Sequence, residues 1–417
     1  MLCSQLSVME VVVMRIKTGI CGAAMAALLV PFISVSVNAK GATGIHLPLY
    51  APVQPSISEM RNPLPAPPTA QVRAETKRGT GTPGTPGQEY VPGNERAFGS
   101  FGIPYTSVRV QDSSPAASAV NANRLSTTYP YRAIGRLDFS VGSGSAHCSA
   151  SLIMRSVIVT AAHCVAEFGS NSWYSNWTFR PAYYGPSGST SSQKEPFGAW
   201  TVDSVVIATA WFDGSDTGSG SARNNDVAVF IVRKNNSNQF IGDVVGWMSY
   251  GWDNYSFKQS AKTGNLLTAA TSTLGYPGLL DSGRIMQRAD GPTYTTTVSG
   301  AKQLWQGNDF TGGSSGGPWI VNFGFTGPSR SGGAVVGSAS AGNRVIGVTS
   351  WGSADPNAPK DNYSSQFARN TQFPSASYAT GSKNYGAGNI GGLLKALCDG
   401  KPSGSTQSYS ALGYCNF

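Results

Sequence analysis

Beyond about residue 127 the chain is written in short β-branched or aromatic runs, each closed off by glycine, asparagine or serine. Ala133–Val141, Ser151–Thr160, Asp226–Val232 and Val345–Trp351 are of this kind. Such runs predict strands, because branched side chains fit a pleated surface and the bounding residues tolerate turn backbone. Composition points the same way. Charged residues make up 12% of the 417, about half the usual ~25%, so charge-laced helices are scarce. A short apolar periodicity from Asn389 to Cys398 is an exception. The 51 glycines supply long flexible connections, and strands so joined predict an all-β sandwich or barrel. The stretch 169–222, rich in Ser, Gly, Trp and Tyr, reads as surface loops between strands.

The residues ahead of this region differ in kind. Arg15 and Lys17 precede an uncharged run from Thr18 to Ala39 that ends in Val37-Asn38-Ala39. That pattern predicts an export signal over 1–39, cleaved after the small residues. Met14 offers a second start. A retained anchor is the competing reading, since the 22 uncharged residues could span a bilayer; Pro31 and the small residues favour cleavage. Residues 40–125, with Pro63–Pro68 and the Gly/Thr/Pro repeat at 79–87, cannot build a packed core and read as a pro-segment or linker. Arg124 marks a place where that segment could be cut away. The formal charge of +9 falls to +8 without the leader (Arg15 and Lys17 against Glu10) and suits solubility. No Lys/Arg cluster points to nucleic acid.

Export places the cysteines in an oxidising compartment. Cys3 and Cys21 lie in the leader, leaving Cys148, Cys164, Cys398 and Cys415. Of three connectivities, the two local loops Cys148–Cys164 and Cys398–Cys415 are favoured, each stabilising the fold by about 3 kcal/mol. No CxxC pair is present, so no cysteine-bound zinc is expected; the reading requires neither metal nor cofactor.

Two short runs carry chemistry. Gly313-Ser314-Ser315-Gly316-Gly317-Pro318 sets a serine on a tight glycine turn. Such a turn can aim the N–H groups of Gly313 and Ser315 at one point, and one such donor is worth about 2.7–4 kcal/mol to a developing oxyanion. A plain turn is the bland alternative in so glycine-rich a chain. A serine nucleophile needs a base, and the three histidines, His46, His147 and His163, all precede Ser315. The same letters fit the Gly-x-Ser-x-Gly elbow of α/β-hydrolases, but there the histidine follows the serine, which excludes that fold. His163 ends the apolar run Val157–Thr160 beside Cys164 and is the better base. His147, beside Cys148, is the weaker one. Asp226 opens an apolar strand that carries it inward, where a carboxylate is costly without a partner such as an imidazole N–H. Asp203 ranks second.

Thr160–Cys164, Asp226–Val232, Gly313–Pro318 and Ser350-Trp351-Gly352 together resemble the histidine, aspartate, serine and substrate-strand motifs of chymotrypsin-fold serine peptidases. Tyr129–Gly135, Leu274–Gly278 and Thr311-Gly312-Gly313 bring the likeness nearest the bacterial branch that includes glutamyl endopeptidases. The resemblance covers about 127–417. It implies a peptidase domain over 126–417 built of two six-stranded antiparallel β-barrels, about 126–240 and 241–417, with a short C-terminal helix. It also implies hydrolysis of peptide bonds through an acyl-enzyme on Ser315, with His163 as base, Asp226 orienting it, and Gly313 and Ser315 forming the oxyanion hole. Ser350, Trp351 and Gly352 would line the substrate, the partners being proteins or peptides. The expected product is a secreted monomer, extracellular or periplasmic, with no membrane insertion after leader cleavage.

Animal-type members keep an aspartate before the nucleophile to hold a freed N-terminus; Ser314 stands here, so that switch is not expected. Glutamyl-specific members use a histidine beside the substrate strand, where this chain has Thr349 and Ser350. Asp309 lies six residues before Ser315, where trypsin-like members keep the acid that binds Lys or Arg. A preference for basic residues, with self-cleavage after Arg124, is expected from it. The alternatives are a silent binding module on the same fold and a structural wall-associated protein.

Overall fold

Alternation along Ile134–Val141 turns most odd-numbered side chains into the core and leaves Arg136, Asp138 and Ser140 half-buried, the mark of a strand with one face packed. The computed structural model describes residues 105–112, 125–216, 221–259, 266–324, 342–352 and 360–416, and the backbone alone of 11–15. Most of the predicted leader and linker, with Cys3, Cys21, His46 and Arg124, therefore lies outside the described residues.

Two short strands precede the barrels, β1 (Val11–Arg15) and β2 (Thr106–Arg109). The first barrel comprises β3 (Ile134–Val141), β4 (Gly144–Met154), β5 (Val157–Thr160), β6 (Ser175–Pro181), β7 (Trp200–Ala208) and β8 (Ala228–Val232). Its order is β7-β6-β3-β4-β5-β8, and β7 pairs with β8 to close it. After β9 (Ser249–Tyr250) and β10 (Lys258–Gln259) comes the second barrel: β11 (Leu267–Gly275), β12 (Gln287–Val298), β13 (Ala301–Gly307), β14 (Pro318–Val321), β15 (Arg344–Gly352) and β16 (Asp361–Gln366). Its order is β11-β14-β15-β16-β13-β12, closed by β11 on β12. The fold is thus all-β with two closed six-stranded antiparallel barrels. Helix Gly388–Asp399, a residue longer at each end than the periodicity suggests, packs on β7 and β8.

Several local readings are sharpened. The run Ser151–Thr160 breaks at Arg155-Ser156 into the end of β4 and the whole of β5. The stretch read as loops, 169–222, holds two barrel strands, β6 and β7. Their signal lies in alternation: Trp200, Val202 and Ser204 are buried while Thr201 is exposed, a period of two hidden among serines and glycines. β2 falls in the stretch read as linker and pairs antiparallel with β12, Arg109 opposite Gln287 and Thr106 opposite Asp290. β1, in the stretch read as leader, pairs antiparallel with β7.

Both faces of the first barrel's strands are packed: Leu137, Leu152, Ile158, Val206, Phe230 and Ile231 are all solvent-free, and Phe230 and Ile231, neighbours on β8, point to opposite sides. Each such side chain contributes about 1.5–3 kcal/mol through burial. Both local disulfides are formed, Cys148–Cys164 and Cys398–Cys415.

Candidate active site

Strand register brings the first two groups together. β5 and β8 are antiparallel with Thr160 opposite Ala228, so residues just past the end of one strand face those just before the other. His163 sits there in the turn Ala162–Cys164, and Asp226 two residues before β8. Asp226 Oδ2 lies 2.8 Å from His163 Nδ1, and Oδ1 accepts the His163 backbone N–H at 2.9 Å. Ser350 donates its hydroxyl to Asp226 Oδ2 at 2.6 Å. Burial pushes this carboxyl up, but the His163 charge and the bonds from His163 and Ser350 outweigh it and hold it below the usual carboxylate range. The Cys148–Cys164 bridge ties the turn to β4. His163 Nε2 is buried and has no hydrogen-bond partner among the described residues.

Asp203, the alternative carboxylate, is committed elsewhere: it pairs with Arg233 at 2.9 Å and accepts from Tyr409. A second buried acid, Asp216, accepts the Asn225 N–H at 3.1 Å, while its Oδ1 has no partner among the described residues. Burial, with a smaller push from Asp226, raises it to about 7 against the opposing Asn225 bond and Arg223 charge.

The serine is set between β13 and β14. Ser149 N donates to Ser315 O, Gly316 N to Thr349 O and Thr349 N to Gly317 O, each at 2.8 Å. Gly316 has φ +77°, and a Cβ there would lie 1.9 Å from Thr160 Oγ1 and 2.4 Å from Ser149 O; only glycine lets the loop press so closely on the histidine-bearing segment. Gly313, at φ +91°, backs onto His147, whose Nε2 lies 2.3 Å from where a Cβ would be. His147 thus supports the turn from behind, its Nε2 meeting Tyr276 O at 3.0 Å. Ser314 closes its own turn, Oγ to Thr311 O at 2.7 Å. Among the described residues the N–H groups of Gly313 and Ser315 make no hydrogen bond, whereas those of Ser314, Gly316 and Gly317 all do.

One residue absent from the sequence reading joins these parts. Ser149, on β4, donates Oγ to Gly313 O at 2.9 Å and accepts the Tyr276 N–H at 2.9 Å. Its carbonyl accepts from Thr160 Oγ1 at 2.8 Å. A single first-barrel residue therefore fastens the serine loop, the segment after β11 and the strand leading to His163. Nothing in the sequence distinguishes it from its neighbours Ala150 and Ser151.

The expected substrate strand is the end of β15. Ser350 turns to Asp226, Trp351 stacks on Tyr363 at 3.9 Å with Nε1 donating to Gln303 at 3.0 Å, and Gly352 faces Asn362. Thr349 is tied inside the barrel, accepting from Trp319 Nε1 at 3.0 Å and donating to Gly317 O at 3.2 Å. Asp309, in the loop after β13, is partly buried, its Oδ1 without a hydrogen-bond partner among the described residues. Burial raises its carboxyl, partly offset by a hydrogen bond from the Ser107 side chain on β2.

Comparison with known proteins fits this arrangement. The chain is 29% identical over 192 residues to a glutamyl endopeptidase of Bacillus licheniformis, covering 46% of this chain and 49% of that protein. The match thus spans about half the length of that relative. Among solved structures, the protease Anisep from Arthrobacter nicotinovorans is 23% identical, covering 58% of this chain and 93% of that one at a TM-score of 0.42. A thermostable serine protease, AL20, from an extremophilic microorganism is 20% identical, covering 57% and 92% at 0.41. The family model described as Trypsin matches residues 126–373, more than half of the chain and the whole stretch that carries His163, Asp226 and Ser315. This chain belongs to the trypsin family.

Proposed function

We propose that the protein is a serine endopeptidase, exported by its leader, that acts as a monomer on proteins or peptides. Ser315 Oγ attacks the scissile carbonyl while His163 Nε2 takes its proton, and Asp226 holds the other ring nitrogen and stabilises the imidazolium. The carbonyl oxygen, now negative, is held by the N–H groups of Gly313 and Ser315. As the C–N bond breaks, His163 returns the proton to the leaving amine, leaving an ester on Ser315. Water, deprotonated by His163, then attacks that ester; the carboxylic acid leaves and Ser315 regains its proton.

The observation that carries this reading is the pairing of an Asp226-bound His163, its Nε2 unpartnered, with two unspent N–H groups on the adjoining serine turn. A fluorophosphonate probe is expected to label the wild-type protein at Ser315, and Ser315→Ala to abolish labelling. A folded wild-type protein that takes no label sinks the proposal.

Removal of the 40–125 segment upstream of the barrels is part of the same reading, with one adjustment. Tyr105–Asp112 belongs with the catalytic unit, because β2 is zipped onto β12 and Val110 is buried. Preference for Lys or Arg, expected from Asp309, keeps one oxygen to serve it: Ser107 bonds to the carboxylate, but Oδ1 is buried with no hydrogen-bond partner among the described residues. Preference for Glu, suggested by the relative's name, has no histidine to serve it: Thr349 is occupied within the barrel.

A further inference from the structure

Asp226 stands two residues ahead of β8, outside the ladder that pairs this strand with β5 and β7. The residues leading to it are held from beyond the first barrel. Arg223 O accepts from Gln303 Nε2 at 2.6 Å, and Asn224 O from Asn389 Nδ2 at 2.8 Å. The Lys302 N–H donates to Asn224 Oδ1 at 3.0 Å, and Asn370 Nδ2 to Asn225 Oδ1 at 2.8 Å. Ser365, opposite Gln303 on β16, shares its hydroxyl between the carbonyls of Arg223 and Asn224, at 3.3 and 3.2 Å. Gln303 reaches further. Its Oε1 accepts the Trp351 indole N–H at 3.0 Å, and its second amide proton goes to Lys302 O at 2.9 Å. With both protons on carbonyls and the oxygen on an indole N–H, one orientation of this solvent-free amide fits. A buried polar bridge so fully satisfied makes the groups it joins rigid with respect to each other.

We infer that Gln303 is a positioning residue that ties Trp351 to the segment carrying Asp226, so that a peptide lying along β15 sets the catalytic carboxylate as it binds. The inference rests on the peptidase reading. Ser350 links the same strand to Asp226 directly, and Gln303 adds a second tie three residues upstream of the acid. A substrate that orders Trp351 against Tyr363 therefore also steadies the Arg223 carbonyl, and with it the approach of Asp226 to His163. Binding energy gathered away from the scissile bond is then spent on the transition state, as faster turnover rather than as affinity alone.

The test compares two chromogenic anilides that share the residue before the cut, one a single residue long and the other a tetrapeptide. That residue is first chosen from a peptide-library profile. Wild type, Gln303→Met, Trp351→Phe and the double variant are assayed, each after a check of labelling by a fluorophosphonate. No label on the wild type is a failure of the peptidase reading. With label present, the longer substrate is expected to raise wild-type kcat by about tenfold or more. Gln303→Met, similar in length but unable to bridge, should cut that gain to about twofold. Trp351→Phe keeps a ring on Tyr363 without the N–H and should do the same. The double variant should be no worse than either single one, because both cut one connection. If Gln303→Met does not fold, wild type and Trp351→Phe decide. A wild-type gain confined to KM, or variants that slow both substrates by one factor, overturns the inference.

Discussion

The residue that does most for the geometry carries no chemistry of its own. Ser149 Oγ joins Gly313 O to Tyr276 N, and so fixes the peptide that follows one of the two proposed oxyanion donors. Ser149→Ala removes a buried hydrogen bond worth about 1 kcal/mol and leaves two backbone groups unmatched. The expected result is a kcat lowered about tenfold with KM within about twofold, because the loss falls on the transition state. Ser149→Cys, retaining a weak donor, should recover part of it. Equal losses in kcat and affinity would reduce Ser149 to a packing residue. His163, Asp226 and Ser315 were legible in the sequence because few residue types can do their work and their order along the chain is restrictive. Ser149 was not, because serine is common here and the partners of its side chain are 127 and 164 positions away.

Among the elements, strands with branched, buried residues announced themselves: β3, β5, β8 and β15 coincide with runs visible by eye. Strands β11 to β13 and β6 did not, since they are written in threonine, glutamine and tryptophan and share the composition of the loops. Their place is fixed by closure of the barrels, a long-range constraint that a local window does not see. The C-terminal helix is short and makes its stability from docking on β7 and β8. Cys398–Cys415 closes the chain behind it over a separation of 17. Replacing both cysteines by alanine should cost about 3 kcal/mol, read as a lowered denaturant midpoint with an unchanged slope. An unchanged midpoint would mean that helix docking alone suffices.

At the scale of the whole molecule, two buried acids of opposite sense contribute to the dependence of stability on pH. The folded value of Asp216, about 7, lies above the ~3.9 of an unfolded aspartate, so the folded state holds that proton more tightly. Its contribution is complete below about pH 4 and is lost as pH rises through about 7. Asp226 is lowered, so its contribution is present above about pH 4 and disappears on further acidification. Asp216→Asn should therefore flatten the fall in Tm between about pH 5 and pH 8 without moving the acid limb set by Asp226. Parallel curves for the two proteins would refute the assignment.

Two segments flanking the barrels are exchanged between them. Strand β2, which precedes the first barrel, is zipped to β12 of the second, and the helix that follows the second barrel lies on β7 and β8 of the first. Each half thus wears a piece of the other like a crossed pair of belts. Neither can loosen without unfastening its neighbour, so the cleft between them behaves as a fixed vice rather than a hinge. Selectivity in such an enzyme has to be built into the shape of the jaws.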